Sequence, residues 1–170
     1  MIAALRIVVM GVCGSGKSTL GRALAQRLGL PFVEGDSFHP ADNVALMAAG
    51  TPLTDAHRAG WLQVLADQLD SPGARTEGLV LACSALKRSY RDVLRAKAPD
   101  LRLVLLHGTP ELLAQRLSSR QGHYMPPSLL PSQLATLELP QPDEHALVLD
   151  IAQPVAQLVD EALRQLRVPA

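Results

Sequence analysis

Aromatic side chains are scarce, at 3% of the chain. That is too few for the stacking surface on which single-stranded nucleic acid is held. Neither sign of charge is in excess, because sixteen Lys and Arg balance sixteen Asp and Glu. No global field therefore attracts nucleic acid or an anionic membrane, and any anion has to be bound locally. Only two cysteines occur, Cys13 and Cys83, which supply neither a disulfide framework nor a four-ligand zinc site. They read as reduced thiols. Long apolar runs are missing too, since no stretch approaches the roughly 20 residues that cross a bilayer. Residues 1–11 look like a short signal core, but no small-residue cleavage site follows. A cytoplasmic protein is expected. Internal repeats and low-complexity tracts are also absent.

What is present fits one domain over residues 1–170, with 48% apolar and 19% charged residues, an ordinary globular balance. Short aliphatic runs at 5–10, 31–33, 79–82, 101–106 and 146–151 alternate with helical patterns. Each run is nearly continuously apolar, as parallel strands covered on both faces are. The expected fold class is α/β, three layers with a five-stranded parallel sheet between helices. Residues 17–28 carry Leu20, Ala23, Leu24 and Leu28 at helical spacing, and Gly29 ends them. Thr54 caps a second helix to about Leu69, with Trp61, Leu62 and Leu65 on its buried side. Thr109, Pro110 and Glu111 start another, and Pro154 opens a last one with Val155, Leu158, Val159, Ala162, Leu163 and Leu166 as its apolar stripe.

Gly11-Val12-Cys13-Gly14-Ser15-Gly16-Lys17-Ser18 matches GxxxxGK[ST] between a predicted strand and a predicted helix, the context this phosphate loop requires. Its glycines allow backbone angles that aim successive N–H groups at phosphate oxygens. The helix start adds its positive dipole end. Lys17 supplies a mobile cation for the terminal phosphates, and the Ser18 hydroxyl is a magnesium ligand. Gly11, Gly14, Ser15, Gly16, Lys17, Ser18 and Thr19 are thus the expected ATP-binding residues, with Mg²⁺ as the accompanying ion. Two Gly/Pro-punctuated segments, 34–52 and 120–131, break the strand–helix rhythm and are expected to be substrate-facing loops. The motif fixes the nucleotide but not the acceptor.

Beyond the loop the chain resembles the bacterial-type gluconate kinases, of the nucleoside monophosphate kinase-like and shikimate kinase-like group of P-loop kinases. The likeness is carried by Glu34-Gly35-Asp36-Ser37-Phe38-His39-Pro40-Ala41-Asp42-Asn43, then Met47, Gly50, Pro52-Leu53, Asp55, Arg58 and Trp61-Leu62. It continues through Cys83-Ser84-Ala85-Leu86-Lys87, Tyr90-Arg91, Gly122-His123-Tyr124-Met125, Ser132-Gln133, Leu137-Glu138 and Asp150-Ile151-Ala152-Gln153-Pro154. It implies strand order 2-3-1-4-5, an acceptor-binding segment at about 34–70 and a mobile lid at about 117–135. The implied reaction transfers phosphate from ATP to D-gluconate, and the implied assembly is a homodimer.

The implied roles agree with side-chain chemistry. Asp36 follows the second strand, where a carboxylate can orient the acceptor hydroxyl or hold magnesium through water. His39 could donate to a sugar hydroxyl. Arg58 offers two prongs to a carboxylate, which gluconate has and neutral sugars lack. Lys87 is a further cation for phosphate or carboxylate, and Arg88 is read as solvent-facing. Trp61 is read as core. Arg116 and Arg120, four residues apart, belong with the nucleotide and the transferring phosphoryl group; His123 belongs with the substrate. Residues 150–154 would border the adenine. Cys83 and Ser84 stand where many P-loop proteins carry an acidic Walker-B residue.

Three departures from the family pattern are Leu46 in place of a lysine, His57 in place of an acid and Tyr124 in place of a phenylalanine. The first two bear on acceptor preference. Two other readings stay open: another small-molecule kinase such as a shikimate kinase, and a nucleotide-binding module without acceptor chemistry. Against the second, no guanine-specifying Asn-Lys-x-Asp stretch is found.

Overall fold

A computed structural model describes residues 4–119 and 126–167. Five parallel strands, β1 (Arg6–Met10), β2 (Phe32–Glu34), β3 (Leu79–Ala82), β4 (Arg102–His107) and β5 (Leu147–Asp150), form one sheet in the order β2-β3-β1-β4-β5. The central strand β1 places Val8 beside Leu81 on one flank and Leu103 on the other. Successive β1 side chains point to opposite faces, yet Ile7, Val8, Val9 and Met10 are all fully buried. Helices therefore cover both faces at the central strand, while Val148 on edge strand β5 is exposed. The sheet is α/β with the order expected.

Each strand begins and ends within a residue of its expected run. Helix α1 (Lys17–Leu28) packs against the C-terminal helix, and Gly29 closes it in the left-handed conformation at φ 68°. In the first irregular segment the expected loop is instead largely helical. A 3-10 turn (Gly35–Phe38) leads into α2 (Ala41–Ala48), which buries Asn43 and Met47. Eight residues are too few for a clear apolar period, so tertiary packing rather than local propensity forms this helix.

Helix α3 (Asp55–Leu69) runs from Thr54, and Trp61, Leu62 and Leu65 are buried on it. The short α4 (Pro72–Thr76) precedes β3, and α5 (Arg88–Lys97) packs along α3. Helix α6 (Pro110–Ser119) is followed, after residues 120–125, by a 3-10 turn (Pro127–Leu129) and α7 (Leu130–Thr136). Arg120, His123 and the middle of the expected lid lie outside the described residues. The last helix, α8 (Val155–Arg167), buries Leu158, Val159, Ala162, Leu163 and Leu166, while Val155 turns outward.

Candidate active site

Because the strands are parallel, the segments after β1, β2, β3 and β4 emerge on one edge of the sheet, where ligands bind in such folds. The turn after β1 is the phosphate loop. Gly11, Gly14 and Gly16 hold positive φ values of 151°, 83° and 93°. Space is as demanding as angle at Gly14, where an added Cβ would lie 2.7 Å from Leu117 Cγ on α6. Lys17 is folded back, its Nζ donating to Val12 O at 3.1 Å. The Ser15 hydroxyl is buried without a hydrogen-bond partner among the described residues. The Cys13 N–H, in contrast, is taken up at 2.7 Å by Gln133 Oε1 on α7.

The loop meets the end of β2 through Ser18, whose hydroxyl donates to a Glu34 carboxylate oxygen. Asp36 sits one turn on, in the 3-10 segment. Gly35, between them, presses so closely on β3 that a Cβ there would stand 2.4 Å from Ala82 O. The Cys83 thiol senses the whole cluster. Burial pushes it up to about 12, with Asp36 and Glu34 raising it and Lys17 opposing them. It is therefore a neutral packing group. The donor set of Ser18 hydroxyl and Glu34 and Asp36 carboxylates is all oxygen, which suits a hard cation such as magnesium.

Across from this cluster, α2 and α3 form a wall. His39 stacks on Trp61 with ring centroids 4.0 Å apart, and Trp61 Nε1 donates to Gly35 O at 2.8 Å. The Asn43 side-chain amide donates both to His57 O at 2.9 Å and to His39 Nδ1 at 3.3 Å. Nδ1 is thus an acceptor and the ring proton sits on Nε2, which faces Asp36 Oδ1 at 4.0 Å. Desolvation lowers His39 to about 4; Asp36 works against this and Arg58 with it. His39 is neutral at pH 7.

Arg58, 9% exposed, donates to Tyr90 OH at 3.0 Å and lies over the Tyr90 ring. Among the described residues its Nε and Nη2 make no other hydrogen bond. Tyr90 OH in turn donates to Asp55, and Lys87 Nζ reaches both Asp55 oxygens at 3.0 and 3.2 Å. The Tyr90 and Lys87 hydrogen bonds hold the Asp55 carboxyl below its ordinary range. Lys87, expected to serve a substrate anion, is paired internally in this structure. Arg88, expected to face solvent, makes a two-pronged bond to Asp143 at 2.8 Å on each prong.

The loop between β3 and α5 is held from behind. Ala85 has φ 45°, unusual for a residue with a side chain. Arg91, fully buried, donates to Ala85 O and Leu86 O at 3.0 and 3.2 Å. Its other edge grips Glu144 at 2.7 and 3.1 Å. Burial works against a charged Glu144, but hydrogen bonds from Arg91, the Gln141 N–H and Arg95 outweigh it and hold the carboxyl at about 2. On the opposite rim, Arg116 donates to Ile151 O, which brings α6 to the 150–154 turn.

Sequence reasoning placed Glu34, Asp55, Tyr90, Arg91 and Gln133 in the stretches that carry the family resemblance but gave none of them a role. Glu34 stood in the Glu-Gly-Asp triplet at a strand's end, which was a usable signal. Arg91 falls in step with Leu94 on the inner side of α5, and a charge on an apolar stripe asks for a buried partner. Gln133 and the Asp55–Tyr90 pair depend on long-range contacts that no local pattern announces.

The chain matches the shikimate kinase family over residues 13–165. It is 52% identical to the gluconokinase of Gluconobacter oxydans over 141 residues, covering 83% of this chain and 79% of that protein. It is 39% identical to the thermosensitive gluconokinase of Escherichia coli, covering 96% and 91%. The crystal structure of a gluconokinase from Sinorhizobium meliloti superposes with a TM-score of 0.86 at 50% identity, covering 95% of this chain and 91% of that one. A shikimate kinase from Bacteroides thetaiotaomicron, at 18% identity and a TM-score of 0.69, shares the fold.

Proposed function

The chain belongs to the gluconokinase family within the shikimate kinase-like P-loop kinases, and from that membership we propose that it converts ATP and D-gluconate to ADP and 6-phosphogluconate. The observation that carries the reading is the Ser18–Glu34 hydrogen bond, which joins the phosphate loop to the segment that would present the acceptor. The gluconate O6 hydroxyl attacks the γ-phosphorus in line. As that P–O bond forms, the bond to the β–γ bridging oxygen breaks and ADP leaves with its electron pair. Asp36 orients the hydroxyl and takes its proton. Lys17 turns from Val12 O to the terminal phosphates, and Arg120 neutralises the phosphoryl group in flight.

Ser18, with Glu34 and Asp36 directly or through water, would hold Mg²⁺, which neutralises charge on the β- and γ-phosphates when bound. Arg58 receives the gluconate carboxylate on the N–H groups it does not spend on Tyr90, and His39 and His123 contact sugar hydroxyls. Lys87 serves the same anion by leaving Asp55. Arg116 and the 150–154 turn flank the adenine. The enzyme works in the cytoplasm in this reading; no described helix is long and apolar enough to cross a membrane.

ADP release from Mg-ATP with a panel of gluconate, shikimate and adenylate tests the proposal. Gluconate-dependent release with 6-phosphogluconate as product is expected. Release that follows shikimate or adenylate instead, or none with any acceptor, overturns it.

A further inference from the structure

Gln133 lies on α7, 120 positions beyond Cys13, yet its Oε1 accepts the Cys13 N–H at 2.7 Å. Both residues are buried, with 2% of Cys13 and 8% of Gln133 exposed. A backbone N–H can only donate, so the bond fixes which way the Gln133 amide faces. We propose that Gln133 is a positioning residue of the nucleotide site, one that holds the Cys13 peptide and keeps the phosphate loop cupped before nucleotide arrives.

Among the described residues, the other bonds that hold the loop are longer than this one. Its glycines at 11, 14 and 16 all take positive φ, and glycine loses the most conformational freedom on ordering. Among the described residues, Gly11 N–H to Ser84 O and Ser15 N–H to Val12 O restrain it at 3.3 Å each, beyond the usual range for such bonds; Lys17 Nζ adds a bond to Val12 O at 3.1 Å, and Gly16 O is held by the Leu20 N–H at 3.0 Å. The Cys13–Gln133 bond is shorter than any of these. Side-chain packing of α6 against Gly14 blocks one direction of movement, but it cannot orient a peptide plane. Without Gln133 the Cys13 N–H loses this acceptor, the loop relaxes, and nucleotide has to order it again on binding. A loop already arranged avoids that cost, and the difference appears as affinity. Cys13 stands in the phosphate loop, so the effect falls on nucleotide rather than acceptor. The inference rests on the nucleotide-binding reading of this loop.

The test compares MgADP binding by the wild type and Gln133→Met, a side chain of similar length without the carbonyl oxygen. In the variant the Kd for MgADP is expected to rise about tenfold, the scale of one buried donor left unmet, while the KM for gluconate changes less than about twofold. Faster hydrogen exchange at the Cys13 amide without nucleotide should accompany the loss. An unchanged Kd in the folded variant overturns the role, as does an equal rise in both KM values alongside a lower Tm. Wild-type protein that fails to bind MgADP overturns the nucleotide reading as well, which separates the two. Should the variant not fold, exchange in the wild type decides. Cys13 must be protected without nucleotide as strongly as β1 is, and protection that appears only with MgADP overturns the proposal.

Discussion

Lys17 donates to its own loop carbonyl at Val12 at 3.1 Å, a bond it can exchange for phosphate. Lys17→Ala should lower kcat at least about a hundredfold, the usual scale for removing one transition-state donor, in a coupled ADP assay with an unaltered circular dichroism spectrum. Arg58→Ala should raise the KM for gluconate about tenfold, one charge-assisted hydrogen bond's worth, and leave the KM for ATP nearly unchanged. The reverse pattern would remove Arg58 from the acceptor site. His39 gives a pH signature. Its folded value near 4 lies below the ordinary value near 6.5, so the unfolded chain binds a proton that the folded chain refuses. Its contribution is complete above about pH 6.5 and is lost as pH falls toward 4. Denaturation midpoints should fall over that window, and less steeply in His39→Gln. Lys17 and Ser18 were legible in the sequence because a phosphate loop tolerates few residues at those positions. The role of Asp55 was not, because its partner Tyr90 is 35 positions away.

At the next scale, helix α3 carries Arg58 and Trp61 into the site, and its start is secured by a reciprocal pair. The His57 N–H donates to Thr54 Oγ1 at 3.2 Å, and the Thr54 N–H donates to His57 Nδ1 at 3.0 Å. A histidine thus fills the place usually taken by Glu or Gln in such a box. This gives structural meaning to one of the three family departures. Thr54→Ala should cost about 1 kcal/mol by urea titration and raise the KM for gluconate, because Arg58 lies within the first turns. Thr54, Gly29 and Pro110 all declared their helix ends in the sequence, since caps are local chemistry. Helix α2 did not. It is short, has no side-chain cap, and is held by Asn43 and Met47 packing into neighbours that local pattern cannot supply.

Over the whole molecule, one buried ion pair ties distant segments to the site. Arg91 and Glu144 are both inaccessible at their side chains, and between them they hold the strained Ala85 turn against the segment before β5. Arg91→Met should destabilise the fold by about 3 kcal/mol, because it removes the two-pronged partner of a buried carboxylate and leaves it hydrogen-bonded only to Arg95 and the Gln141 N–H among the described residues. Arg91→Met combined with Glu144→Leu should cost less than the single change, and paired denaturant curves would show it. The sheet itself was readable because each strand is apolar on both faces. Its order has a temporal corollary. β1 is the first of the five strands to leave the ribosome, but its two ladder partners are β3 and β4, so it has no partner before about residue 82 and lacks its second until about residue 107 has been translated. A nascent chain halted before that point has already exposed the whole phosphate-loop motif, yet lacks the flanking strand that would brace it. Truncated translation products should accordingly be unable to capture nucleotide.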